Sequence, residues 1–378
     1  MSGPGRTLNV LVVDDSAVVR QTLTTILSQE VDFRVSAAAD ALIAQSKIAR
    51  ERPDVIVLDL EMPRMDGLTF LRAQMAIDPI PVVVCSCLTV AGAEHAMRAL
   101  EEGALSIVTK PRIGVREFLY ESAVALVDAV RAAASARLIG RPRGAAPARR
   151  AEGRGTAGRG SASPAREAWT REVAPSVIAI GASAGGTEAL RHVLETFPED
   201  APGAVIVQHM PETFTRAFAG RLDSLCAVSV REAEDGALVR RGVALIAPGG
   251  RHLRLRRRGD GYDVEVTDGP LVSRHRPSVD VLFRSVAEAA GPRAAGAILT
   301  GMGADGAQGL LEMRQAGALT LAQDEASCVV FGMPREAIAR GAARFVVPLG
   351  HVAAALLGSS APADAAQPRL PLDPAAAR

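Results

Sequence analysis

The chain has 378 residues, 48% of them apolar, with 43 basic against 42 acidic side chains and a net charge of +1. That length allows two or three domains, each with its own core, and the balanced charge argues against a nucleic-acid binder or an acidic-substrate specialist. Cys85, Cys87, Cys226 and Cys328 are too few and too scattered for a disulfide framework, and no C-x-x-C pair suggests zinc, so they read as reduced thiols. The opening MSGPGRTLNV lacks the charged and apolar regions of a signal peptide. No apolar run approaches the roughly 20 residues that span a bilayer. The expectation is a soluble, cytoplasmic protein without membrane insertion.

In chain order, the first predicted strands are Leu8–Val13, Arg34–Ala38, Val55–Leu58, Pro81–Cys85 and Ser106–Thr109. Helical patterns lie between them. In the first, Val19, Leu23, Ile26 and Leu27 recur at helical spacing, and Ser16 is placed to cap it. Strands nearly continuous in Val, Ile and Leu are buried on both faces, which implies a parallel sheet. The alternation predicts a five-stranded doubly wound α/β domain over residues 1–135.

Asp14 and Asp15 follow the first strand, Asp59 ends the third, Ser86 ends the fourth and Lys110 ends the fifth. In a doubly wound sheet these strand ends meet at one edge. Three carboxylates gathered there need a counter-charge, and a hard, oxygen-liking cation such as Mg²⁺ fits. Such a pocket suits attack of an aspartate oxygen on a phosphoryl group, with metal and lysine neutralising the transferring charge. Carboxylates at strand ends are also ordinary turn formers and helix caps, but all of these features together make that reading weak. The segments VDDS, LDLEMPRMDG, CSCLT and TKP fall in order, and the region strongly resembles the receiver domains of bacterial response regulators. The resemblance implies that Asp59 accepts the phosphoryl group, that Asp14, Asp15 and Asp59 hold Mg²⁺ with help from the Glu61 carbonyl, and that Ser86 and Lys110 sense the phosphoryl group. Ile107 stands where many receivers carry an aromatic switch residue.

Residues 136–172 are rich in Gly, Ala, Pro, Ser and Arg with almost no large apolar side chain, which predicts a flexible linker. Its arginines either meet an acidic partner or keep the tether solvated. The Ala- and Pro-rich tail 358–378 reads as disordered.

The second region, 173–357, repeats the α/β logic on a larger, Rossmann-like scale. Predicted strands are Val177–Ile180, Ala204–Val207, Val243–Ile246, Ala297–Leu299 and Ala318–Leu321. The alternation LRLRRRGDGYDVEV predicts a β-hairpin turning through Gly259-Asp260-Gly261. Its basic face reads as solvated, because aromatics for base stacking are absent.

VIAIGASAGG, Val177–Gly186, fits two devices. Gly181-x-Ser183-x-Gly185 matches a nucleophile elbow, and a strand running into a glycine turn also fits a phosphate-binding loop. A serine hydroxyl is a poor nucleophile without a base beside it. His209, ending the strand AVIVQHMP, reaches the same sheet edge. Asp305, in the glycine turn of AILTGMGADG, can orient the imidazole. His192, in the helix after the elbow, is expected to face solvent. The Met302–Gly303 turn is a plausible source of an oxyanion amide. The chain order Ser, His, Asp differs from the Ser, Asp, His of common α/β-hydrolases. A rival reading takes GMGADG as G-x-G-x-x-G, with Asp324 about 20 residues later as a ribose-binding acid, and makes the region part of a dinucleotide-dependent oxidoreductase. Against it, the motif lies late in its domain and leaves the elbow and His209 unexplained.

IGASAGGTEALRHVL, QHMPETFTRAFAGRLD, APGGRHL, HRPSVDVLF, LTGMGADGAQGLLEMRQAG and AQDEASCVVFGMPREAI closely resemble the catalytic domain of the chemotaxis-specific protein-glutamate methylesterases. The resemblance implies Ser183 as nucleophile, His209 as base and Asp305 as orienting acid, with no cofactor for the esterase step. It implies demethylation of glutamate methyl esters and deamidation of glutamines on methyl-accepting chemotaxis receptors. It further implies a receiver that covers the site until a chemotaxis histidine kinase phosphorylates Asp59. Ala184 stands where some members have threonine. Arg276 either contacts acidic receptor side chains or is a solvated surface arginine.

Overall fold

The computed structural model describes residues 7–87, 89–110, 116–137 and 175–358. In the N-terminal unit the elements are β1 (Leu8–Val13), α1 (Ala17–Leu27), β2 (Phe33–Ala38), α2 (Ala41–Arg50), β3 (Val55–Asp59), α3 (Gly67–Ile77), β4 (Val82–Ser86), α4 (Val90–Glu101), β5 (Ser106–Thr109) and α5 (Arg116–Ala134). The sheet runs β2-β1-β3-β4-β5 and every pairing is parallel. Every residue of β3 and β4 is buried, so their unbroken apolar runs are what helices on both faces require. Ser16 caps α1 through its side chain, and Asp40, Asp66 and Thr89 do the same for α2, α3 and α4.

The C-terminal unit contains β6 (Val177–Ala182), α6 (Gly186–Leu194), β7 (Gly203–Gln208), α7 (Glu212–Asp223), β8 (Ser229–Glu232), β9 (Leu238–Val239), β10 (Val243–Ile246), β11 (His252–Arg258) and β12 (Gly261–Thr267). It continues with α8 (Val279–Ala290), β13 (Ala294–Ile298), α9 (Ala307–Gln315), β14 (Leu319–Gln323), α10 (Met333–Ala339), β15 (Phe345–Val347) and α11 (Leu349–Leu356). A seven-stranded parallel sheet has the order β15-β14-β13-β6-β7-β10-β8. The direction of winding reverses between β6 and β13, and the crevice outside the strand ends at such a switch point is where open α/β sheets bind ligands. The expected hairpin is β11–β12, and β9 extends it to three strands. Its arginines are matched across the strands: Arg256 pairs with Asp263 and Glu265, and Arg258 with Asp263.

β8, β9 and β15 were not foreseen. They are short, and β8 and β9 carry few buried residues. β13 begins three residues earlier than expected, because its first residues, Ala-Ala-Gly, lack β-branched side chains. The start of the expected linker is ordered: the Arg137 amide bonds to the Val329 carbonyl at 2.8 Å and its guanidinium to Glu325 at 2.6 Å. The remaining linker residues from 138, and the tail from 359, lie outside the described residues.

Candidate active site and phosphoryl pocket

The strand ends of the N-terminal unit bring Asp14, Asp15 and Asp59 together, with one oxygen of each within 4.8 Å of the others. Asp14 and Asp59 are buried and Asp15 is exposed. Lys110 Nζ lies 2.7 Å from Asp59 Oδ2 and 3.3 Å from Asp14 Oδ2. Burial alone would lower the lysine's proton affinity, but attraction to these two carboxylates holds its ammonium above the usual range. Both carboxyls are nonetheless pushed up, first by burial, which the lysine only partly offsets. One cation is shared between two buried anions with a third alongside, so the pocket is short of positive charge. That deficit, with carboxylate oxygens as donors, fits a hard divalent ion. Ser86 is buried at the end of β4, and its hydroxyl donates to the Gly92 carbonyl in the first turn of α4 at 3.3 Å.

In the C-terminal unit the chain leaves β6 at Ala182 and turns into α6 at Gly186, with Ser183 on the turn. Gly185 has φ +74°, the left-handed region that glycine enters without penalty, and this closes the elbow. The segment after β13 comes so close that a Cβ on Gly301 would sit 2.7 Å from the Ser183 Cβ. The Ser183 amide donates to the Thr300 carbonyl at 3.0 Å. His209 follows β7 immediately, and its Nε2 lies 2.8 Å from Asp305 Oδ2.

Asp305 is buried and fully occupied. Its Oδ1 accepts from Ser278 Oγ at 2.7 Å and the Asp280 amide at 3.1 Å, and its Oδ2 from the Val279 amide at 2.7 Å. These donors sit at the N-terminus of α8, which favours an anion. Burial by itself would raise this carboxyl; the His209 hydrogen bond, the charge of His209 and the α8 donors together bring it below the usual carboxylate range. An ionised Asp305 only accepts, so Nε2 of His209 must carry the proton. In the neutral imidazole Nδ1, buried and without a hydrogen-bond partner, then carries the lone pair.

Ser183, His209, Met302 and Gly303 line one cavity of about 640 Å³. The expected row of three is closed on its His209–Asp305 side. The Ser183 hydroxyl makes no hydrogen bond to His209 among the described residues. His192 is exposed, as expected. Arg276 is half-buried and donates to the Gly269 carbonyl, so it is not a simple solvated surface arginine.

The other wall of that cavity is the N-terminal unit: Ile107, Thr109, Asp128 and Ala132 among others. Ile107, at the position of an aromatic switch in many receivers, faces this shared space. The Gly185 amide of the elbow donates to the Leu105 carbonyl at 3.1 Å. Ala184 packs with Ala132 of α5 and Val330. Ion pairs flank the contact: Arg221 with Glu101, and Arg274 with Asp128 at 3.4 Å.

Sequence reading did not single out the turn that carries Arg274. Val272 and His275 exchange backbone hydrogen bonds at 3.1 and 2.9 Å around Ser273 and Arg274, whose φ values are +51° and +68°. Two left-handed central residues define a type I′ turn, and for non-glycine residues each costs about 1 kcal/mol or more. The turn places the His275 ring flat against that of His209, centroids 3.7 Å apart and planes 14° from parallel.

On the loop of the rival G-x-G-x-x-G reading, space beside Gly301 is filled by Met333 and Ser183 and space beside Gly306 by Val279, while the space beside Gly303 is open. The Asp324 carboxylate is held by the Ser327 amide at 3.0 Å and by its hydroxyl.

A five-stranded sheet with an acidic pocket, joined to an α/β unit with a His–carboxylate pair beside an elbow serine, defines a response-regulator-linked hydrolase. Residues 178–356 match the CheB methylesterase family and residues 10–118 the response regulator receiver domain. Protein-glutamate methylesterase/protein-glutamine glutaminase 5 of Anaeromyxobacter dehalogenans is 59% identical over 94% of this chain and 98% of its own length. Protein-glutamate methylesterase/protein-glutamine glutaminase 3 of Geobacter metallireducens is 55% identical over 93% of this chain and 98% of its own. Among solved structures, the Thermotoga maritima CheB methylesterase catalytic domain is 36% identical, spanning 49% of this chain and 98% of that one, with a TM-score of 0.47. The chain belongs to the protein-glutamate methylesterase/protein-glutamine glutaminase family. These relatives lend no support to the oxidoreductase alternative. No helix among the described residues is long and apolar enough to cross a membrane.

Proposed function

We propose that this chain hydrolyses γ-glutamyl methyl esters, and deamidates glutamines, on chemoreceptors. Ser183 is the nucleophile, His209 the base and Asp305 the orienting acid. The observation that carries this reading is the ionised, fully bonded Asp305 fixing the His209 tautomer at a cavity that Ser183 lines. Ser183 Oγ attacks the ester carbonyl while Nδ1 of His209 takes its proton. The C–O bond to the methoxy group breaks, and His209 returns the proton so that methanol leaves. Water then attacks the acyl-serine, His209 again removing a proton, and the carboxylate is released with Ser183 restored. With glutamine the leaving group is ammonia. The Met302 and Gly303 amides, from residues that line the same cavity, receive the negative oxygen of the tetrahedral intermediate.

The test is methanol release from methylated receptor membranes, with ammonia release from glutamine-bearing receptors as the second readout. Absence of both from the phosphodonor-treated full chain would overturn the reading. Asp305→Asn places an amide where an acceptor is needed, which favours the wrong His209 tautomer. We expect kcat to fall about 10³- to 10⁴-fold, checked in the same assay. It should also weaken the α8 N-terminus, so melting is measured alongside.

The N-terminal unit is the switch. Asp14, Asp15 and Asp59 would hold Mg²⁺ with the Glu61 carbonyl, and the ion would supply counter-charge to a transferring phosphoryl group. An Asp59 oxygen attacks the phosphorus of a phosphodonor, the chemotaxis histidine kinase in the cell, and the bond from phosphorus to the donor breaks. Lys110 neutralises the new charge and Ser86 reads it. Mg²⁺ at ten times its Kd should stabilise the native state by about 1.4 kcal/mol, seen as a raised melting temperature of the full chain. Asp14→Asn should lose most of that rise; an equal rise in wild type and variant would place the ion elsewhere.

A further inference from the structure

One hydrogen bond does not fix a ring. The 2.8 Å contact between His209 Nε2 and Asp305 leaves the imidazole free to turn about that axis, and such a turn would swing Nδ1 away from the serine. A flat neighbour removes this freedom. The His275 ring lies on the His209 ring, 3.7 Å between centroids and 14° from parallel. Its own backbone is pinned: amide and carbonyl both bond to Val272, and the next carbonyl, that of Arg276, accepts from the Gly250 amide at 3.1 Å. The His275 ring makes no hydrogen bond among the described residues, so it stands as a platform and not as a link in a proton chain.

We propose that His275 is a positioning residue for the hydrolytic reaction, its ring holding the His209 imidazole in the plane that aims Nδ1 at Ser183. This rests on the triad reading above. The charged and titratable groups facing His275 are His209, Asp305 and Arg274, the last paired with Asp128. Burial first, then the charge of His209, pushes the His275 imidazole down to about 3. It therefore stays neutral at working pH, when His209 takes the serine proton. A neutral aromatic face beside a new imidazolium attracts it, whereas a second cation would repel it.

The experiment uses the full chain with Mg²⁺ and a small phosphodonor, and measures methanol release from methylated receptor membranes across pH. His275→Ala should lower kcat about 10- to 100-fold, the usual effect of a catalytic group displaced by about an ångström, with KM nearly unchanged. His275→Phe keeps a flat ring and should recover activity to within about threefold, with the wild-type pH profile. If His275→Ala does not fold, His275→Leu, which fills the space without a flat face, takes its place. Wild-type kcat in the Ala or Leu variant, or a folded Phe variant no better than they are, would sink the proposal. So would a pH profile that loses a limb in His275→Phe, because His275 would then carry a proton itself. Ser183→Ala is run in parallel. Activity retained there removes the triad, while activity lost there but kept in His275→Ala removes only the stacking role.

Discussion

Ser183→Ala should abolish methanol and ammonia release together, with kcat down by about 10⁴-fold or more. On the proposed mechanism both reactions pass through the same acyl-serine, so one missing oxygen removes both. What remains is the cavity, the His209–Asp305 pair and the Met302–Gly303 turn, which bind substrate but offer no bond-forming atom. The loss should not come from unfolding. The Ser183 side chain makes no hydrogen bond among the described residues, and its backbone bonds to Thr300 and Gly186, at 3.0 and 2.8 Å, survive the change. An unchanged melting temperature with no turnover is the expected pair of results. Turnover equal to wild type would dismiss Ser183 as nucleophile.

Asp59→Asn should leave basal activity in place and remove stimulation by a phosphodonor. The expected wild-type stimulation is about 5- to 150-fold, the range of a coupling of 1–3 kcal/mol. Asparagine keeps the shape of the side chain but its amide does not capture phosphorus. The route outward is short. Phosphoryl oxygens on Asp59 would compete for the Ser86 hydroxyl, which donates to the Gly92 carbonyl in the first turn of α4. α4 packs on α7, where Glu101 pairs with Arg221. A shift of α4 therefore acts on the contact that keeps β5 and α5 over Ser183 and His209, and opening becomes a population shift. The exposed ion pairs are each worth about 0–1 kcal/mol, too little individually to hold the closed form. Stimulation that persists in Asp59→Asn would move the switch to another residue.

Much of this was legible because the two sheets are parallel. Their central strands are buried on both faces, so β1, β3 and β4, and later β6 and β7, stand out as Val/Ile/Leu runs. Residues at their ends, Asp59, Ser86, Ser183 and His209, are thereby assigned to one sheet edge each without any knowledge of side-chain packing. The edge strand β8 was not legible because Ser-Val-Arg-Glu carries no such run, and β13 was shortened because Ala-Ala-Gly does not declare itself. His275 escaped for a different reason. It lies in a turn whose left-handed residues are Ser and Arg instead of Asn and Gly, and its contact with His209 joins segments 66 residues apart in number. No local pattern encodes such a contact. The cover over the site was expected only from resemblance; its residues, Ile107, Ala132 and Asp128, have nothing in their spacing that points to a serine far along the chain.

The bond from the Gly185 amide to the Leu105 carbonyl joins the two units through the peptide chain itself. Substitution can rewrite the charged pairs around it and so make the clasp tighter or slacker, but side-chain drift leaves that amide and that carbonyl in place. This chain thus has adjustable dials for the speed of sensory adaptation set around a fixed alignment pin. A foreign regulator grafted onto this catalytic half would meet only the amide of the pin, and would have to supply a carbonyl opposite it and evolve the dials afresh.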